Sequence, residues 1–154
     1  MSSVLLMVHV LVGTALLGAI THQVASVFRG RGGRAARSGS FFGRYSEVDK
    51  AIFTMAVVVL YVSQVLLGAL IYPAYRLIVR IPFEEMSLGW AIGVFELKEH
   101  FAGIGLMSLP FYARSWRSPQ SHPRDRIMMS VLLAFIVWWD FLVGHILTNI
   151  RGLA

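Results

Sequence analysis

The chain has 154 residues, 56% of them hydrophobic and 14% charged, with a formal net charge of +6. Soluble domains average about 25% charged residues, so this composition excludes an ordinary water-soluble fold and points to one integral membrane domain. There is no cysteine, which excludes disulfides, thiolate metal sites and a thiol nucleophile.

Four apolar segments, about 3–28, 51–79, 88–113 and 127–150, each reach the ~20 residues needed to cross a bilayer. The expected fold is all-α, an integral membrane four-helix up-down bundle in a single domain spanning 1–154. The first segment carries no Asp, Glu, Lys or Arg before Arg29 and is too long for a signal-peptide core. It places His9 and His22 thirteen residues apart. A Gly/Ser/Arg-rich connector follows, with Arg29, Arg31, Arg34, Arg37, Arg44 and Lys50 against Glu47 and Asp49.

The second segment is rich in Val and Leu and contains Gln64. It is expected to end near Tyr72-Pro73, with Tyr75 and Arg76 as interfacial anchors and 80–87 as a loop. The third segment contains the stretch VFELKEHFAGIG, residues 94–105, with Glu96, Lys98, Glu99 and His100 inside seven positions. If that run were only the wet start of a helix, 101–113 would be too short to span. A helix running through it is therefore expected, with Glu96, Glu99 and His100 sharing one inward face at i, i+3, i+4. Lys98 is expected to point elsewhere and snorkel outward.

The fourth segment follows Pro123-Arg124-Asp125-Arg126, with Asp125 expected as N-cap. It carries Asp140 and His145. Trp90 and Trp116 read as an interfacial belt and Trp138-Trp139 as helix packing. His122, beside Pro123, reads as a solvated loop residue.

Segments 29–50 and 114–126 are basic, which by the positive-inside rule makes them cytoplasmic. Both termini and 80–87 then face outward, into the periplasm of a bacterial inner membrane. Small residues (Gly13, Ala15, Gly18, Gly68, Gly103, Gly105) are expected to let helices approach closely.

With a rise of 1.5 Å per residue, His9, Glu96 and His145 fall at one level near the outer face. Glu99, His100, Asp140 and Gln64 fall somewhat deeper. Ionisable residues at such depth face the interior or a wet cavity and mark functional sites. Three readings follow.

In the first, the protein binds haem b. His9 and His145 lie at matching depth on the first and last helices, with Gly13 and Gly144 leaving room for a flat macrocycle. His100 is the alternative ligand. His22 would serve a second haem with Met128, Met129 or another chain. The histidines His9 and His22 on an apolar, Gly-containing first helix resemble the pairs of membrane b-type cytochromes. The four-span plan resembles the cytochrome b subunits of respiratory complexes and the copper-resistance D-type membrane proteins. The resemblance implies electron transfer between a quinone and a partner membrane or periplasmic redox subunit. Its ligands would be His9, His22, His100 and His145, with Glu96, Glu99 or Asp140 exchanging protons with the quinol.

In the second, a non-haem iron, copper or manganese ion is held by His9, His100, His145 and Glu96, with Glu99 and Asp140 nearby. Such a site would activate oxygen or handle a transported metal. In the third, Glu96, Glu99, His100 and Asp140 form a proton or ion relay in a small transporter, or the chain anchors a larger complex. The lipid bilayer is an expected partner and nucleic acid is not. No phosphate-binding loop, nucleophile elbow or zincin motif is present.

Overall fold

A computed structural model describes residues 3–29, 50–117 and 123–152. All secondary structure among them is helical. Four helices are long: α1 (Ser3–Arg29), α2 (Lys50–Tyr75), α4 (Gly89–Arg117) and α5 (Pro123–Gly152). A short α3 (Ile81–Glu85) lies between α2 and α4. Three stretches are long and apolar enough to cross a membrane: Ser3–Phe28, Phe53–Glu85 and Pro123–Ile150. Helix α4 has the length but carries Glu96, Lys98 and Glu99 midway.

The expected loop at 80–87 is mostly helix. Backbone at Tyr75, Arg80 and Ile81 stays right-handed, so α2 runs through a π-helical stretch, Arg76–Arg80, into α3. Proline explains the irregularity. Pro82 has no N–H to give, and its ring would press on the Ile78 carbonyl one turn back. The wider π turn lies just before it.

The reversal into α4 takes only Met86, Ser87 and Leu88. The Leu88 N–H donates to the Phe83 carbonyl at 2.8 Å and the Ser87 N–H to the Glu84 carbonyl at 3.0 Å. Ser87 sits at φ 58°. This is a Schellman closure, with Leu88 and Phe83 making its apolar contact.

At the other end, α4 extends to Arg117 and α5 begins at Pro123. Much of the expected 114–126 loop is thus helical. Asp125 lies in the first turn of α5 instead of capping it. Proline at the first position needs no N–H partner, and a carboxylate in that turn favours the positive end of the helix dipole. Residues 30–49 and 118–122, with most of the basic connector and His122, lie outside the described residues.

Helix α1 packs against α2 and α5, and α4 packs against α2 and α5. The main core joins all four: Leu16 and Ile20 from α1, Val57 and Tyr61 from α2, Leu109 and Tyr112 from α4, Leu133 and Ile136 from α5. A second apolar cluster, Phe83, Ala91, Val143 and Leu147, lies near the Met86–Leu88 turn and has no member from α1. Outward, the long helices show Leu, Val, Met, Phe and Ile, among them Leu11, Leu70, Met107 and Phe135, as expected of surfaces solvated by lipid.

Candidate functional site

Helix α4 is unbroken through VFELKEHFAGIG, but its faces are the reverse of the expectation. Its buried positions include Ala91, Gly105, Leu109, Tyr112 and Trp116. These follow two seven-residue series, 91–98–105–112 and 95–102–109–116. Lys98 belongs to the first series and so points inward. Its side chain is 17% exposed, and its stem reaches toward Gly144 of α5, where a Cβ would meet its Cε at 3.9 Å.

Glu96 and Glu99 stand off this stripe, at 55% and 45% exposure, and His100 is exposed. Their shared face turns outward because helical spacing makes them neighbours of each other without saying which way the helix rolls. Lys98 does not snorkel away. Its ammonium sits 3.6 Å from Glu99 Oε1 and 5.3 Å from the centre of the Phe95 ring. Arg80 holds Glu84 at 2.8 Å and reaches Glu96 at 3.6 Å. Glu96 thus belongs to a charged fringe at the end of the turn.

Across the interior from Lys98, α1 and α2 meet through His9 and Gln64. The Gln64 amide donates from Nε2 to His9 Nε2 at 3.1 Å, which leaves the imidazole proton on Nδ1. Small residues make this contact. Gly13 stands against the Gln64 amide, and a Cβ on Gly68 would meet His9 Cε1 at 3.7 Å. Gly18 and Gly103 meet nothing within 4 Å, so only part of the expected set of small residues serves close approach.

Asp140 projects inward from α5. It stands one turn from Gly144, beside which the Lys98 stem runs. His9 Nδ1, Gln64 Oε1, Asp140 Oδ1 and Trp139 Nε1 are buried without a protein hydrogen-bond partner. Buried polar atoms need water or a ligand when protein supplies no partner. His9, Gln64 and Asp140, each with such an atom, lie at the depth of the inward lysine and mark this level as one that water or a ligand completes. Below it, Tyr61 donates from its hydroxyl to the Ala102 carbonyl at 3.0 Å. Gly105 accommodates that phenol, since a Cβ there would fall on the oxygen.

The expected ligands separate. His9 faces α2, which carries no histidine. His145 and His100 are exposed, and the His100 Nδ1–H is donated to the Glu96 carbonyl at 2.7 Å. The space beside Gly144, expected for a macrocycle, is taken by Lys98. Among the described residues, no group of three or more His, Asp or Glu is arranged to hold a metal ion. The donor arrangement therefore lends no support to a metal or haem centre within this chain.

His22 belongs to a second polar level that the sequence reading reduced to one unmatched histidine. It is 2% exposed and stacks on Phe53 with ring centres 4.0 Å apart. Beside it, Gln23 donates to Thr54 Oγ1 at 3.0 Å. Trp116, expected at the interface, is buried and donates to Ser130 Oγ at 3.2 Å. Ser26 and Ser115 turn their hydroxyls back onto the Gln23 and Tyr112 carbonyls. All four long helices contribute. The signal was present as neutral polar residues (Gln23, Thr54, Ser115, Ser130) at one depth, but attention to charge passed over them.

No protein family model, no curated protein and no solved structure matches this chain. The functional reading therefore rests on the residues themselves.

Proposed function

We propose that the chain is a four-span membrane protein, an up-down bundle in a bacterial inner membrane, whose Lys98–Asp140 site takes up and releases protons. It would act as the relay of a small transporter or of a redox subunit. The observation that carries this reading is the inward lysine. Lys98 occupies a core position of α4, and Asp140 Oδ1 is buried nearby without a hydrogen-bond donor. Charges within membrane helices are costly and are kept where they move ions or protons. Lysine and carboxylate at one level, with the hydrogen-bonded His9–Gln64 pair across from them, offer one exchangeable proton and two sites to hold it. The basic segments 29–50 and 114–126 support an orientation with both termini and the Met86–Leu88 turn outside.

Infrared difference spectra across a pH titration of the purified protein test this directly. A carboxylic-acid band that appears and disappears with pH, is lost in Asp140→Asn and moves in Lys98→Met is the expected result. No titrating carboxyl in the wild type, or one unaffected by Asp140→Asn, overturns the reading.

A second reading is the redox subunit, with haem b passing electrons between a quinone and a partner protein. What favours it is the exposed placement of His100 and His145 on the adjacent helices α4 and α5, where a cofactor shared with another chain would find them. A Soret band that shifts on reduction and is lost in His145→Ala is its signature. A colourless preparation removes it, and stoichiometric iron, copper or manganese by elemental analysis would favour a non-haem centre instead.

A further inference from the structure

We infer that the Lys98–Asp140 site communicates with water at one face of the membrane only, the face of the Met86–Leu88 turn, and that the chain is not a proton conduit from face to face. This rests on the proton-handling reading and adds its direction.

The two sides of the site differ along the helix axes. Toward the 29–50 connector, the interior is closed by side chains from all four long helices. Ile20, Val57, Leu133 and Ile136 are essentially inaccessible, and Leu16, Leu109 and Val137 nearly so. They form one continuous apolar cluster. Tyr61, a member of that cluster, commits its hydroxyl proton to the Ala102 carbonyl. Apolar layers packed this tightly leave no chain of water. The next polar level, around His22 and Gln23, lies beyond the layer, so the two levels are not joined.

Toward the turn, the closure is incomplete. The apolar cluster there draws on α3, α4 and α5 but not on α1. His9, about two turns from the start of α1, is only half-buried. The groups facing the site are His9 from α1, Gln64 and Tyr61 from α2, Lys98 from α4, and Asp140 from α5; Glu99, on the outward face of α4, touches it through the Lys98 ammonium. Glu99 is already half exposed, and Glu96 with Arg80 continues the charged surface to the turn. A proton thus has a polar route from Asp140 past Lys98 and its ion-pair partner Glu99 to bulk water on that side. On the other side it meets hydrocarbon.

The absence of cysteine makes the test direct, because each introduced thiol is then the chain's single one. In sealed vesicles of known sidedness, a membrane-impermeant maleimide is applied from either face. Ser87→Cys and Arg117→Cys report the two sides. Gln64→Cys and His9→Cys are expected to react from the Ser87→Cys side only, and Val57→Cys and Leu133→Cys from neither. Reaction of Gln64→Cys from the Arg117→Cys side, reaction of Val57→Cys from any side, or no reaction of Gln64→Cys and His9→Cys at all would overturn the inference. The wild-type protein provides a check free of folding effects. Proteoliposomes under a potassium diffusion potential should take up protons no faster than protein-free vesicles, and a conductance abolished by Lys98→Met contradicts one-sided access. If labelling follows the expected pattern while Asp140 shows no titrating carboxyl, the proton-handling reading fails and the sidedness stands.

Discussion

Two polar levels sit in the same helix assembly and are built differently. Near the turn, the interior holds Lys98, Asp140 and His9, and none of the three is fully buried. Near the 29–50 connector it holds His22, Gln23, Thr54, Ser115 and Ser130, all of them buried. The more deeply buried level is thus the one without lysine or carboxylate. A hydroxyl or amide can be enclosed once a neighbour supplies its hydrogen bond, as Thr54 does for Gln23 and Ser130 for Trp116. A charge keeps a large desolvation cost even when paired. The ionisable level therefore stays close to an opening, while the other level ties amide, hydroxyl and indole groups into contacts between helices. The first arrangement suits exchange with water, and the second suits holding helices in register.

Substitutions at the two levels should separate those roles. The largest effect is expected for Lys98→Met, which leaves Asp140 without its neighbouring cation. Removing one partner of a fully buried pair costs about 3–5 kcal/mol; Lys98 and Asp140 are only half-buried and Lys98 makes its ion pair with Glu99, so this case is expected below that range, at about 2 kcal/mol. Replacing both, Lys98→Met with Asp140→Leu, should recover most of that stability while abolishing the titrating carboxyl. Reversible denaturation in detergent micelles measures the first effect and infrared spectra the second. A double variant no more stable than the single one would show that the two side chains do not act on each other.

Gly105→Ala comes next. The new methyl lands on the Tyr61 phenol, an overpacking expected to cost about 1–3 kcal/mol. Pairing it with Tyr61→Ala should relieve the strain, and thermal unfolding of the two variants decides it. At the more deeply buried level, Thr54→Val removes the acceptor of the Gln23 amide and should cost about 1 kcal/mol with no change in the pH dependence of the infrared bands. A shifted carboxyl titration in Thr54→Val would join the two levels and blur the distinction drawn between them. The smallest effect is expected for Glu99→Gln and His100→Ala on the outward face of α4. Each should change stability by less than about 0.5 kcal/mol, with Glu99→Gln slowing proton exchange at the site and His100→Ala leaving it unchanged.

Much of the architecture was legible in composition and periodicity. Long apolar runs, Arg and Lys at their flanks and an unbroken helix through VFELKEHFAGIG follow from the need of a membrane-spanning backbone to satisfy its own hydrogen bonds. The helical path through 80–87 was less visible. Pro82 and two glutamates read as a loop when taken singly, whereas a π turn and a Schellman closure let the helix continue to Glu85.

The candidate site was half legible. Asp140 and His9 could be placed from their isolation in apolar sequence, and the depth ruler brought Gln64 to their level. The roll of α4 could not be found by looking for charged neighbours at i, i+3, i+4, because any such trio shares a face whether that face turns in or out. The seven-residue series through Ala91, Gly105 and Tyr112 carried the answer, with Lys98 on it. Residue types and their spacing were enough to say that the chain enters a membrane as long helices and that charge lies within them. Which charge faces the interior, which histidine meets a glutamine instead of a metal, and which end of the site is closed were settled by packing. Each depends on how several helices rotate together to bury the most apolar surface, a choice that no single stretch of chain contains.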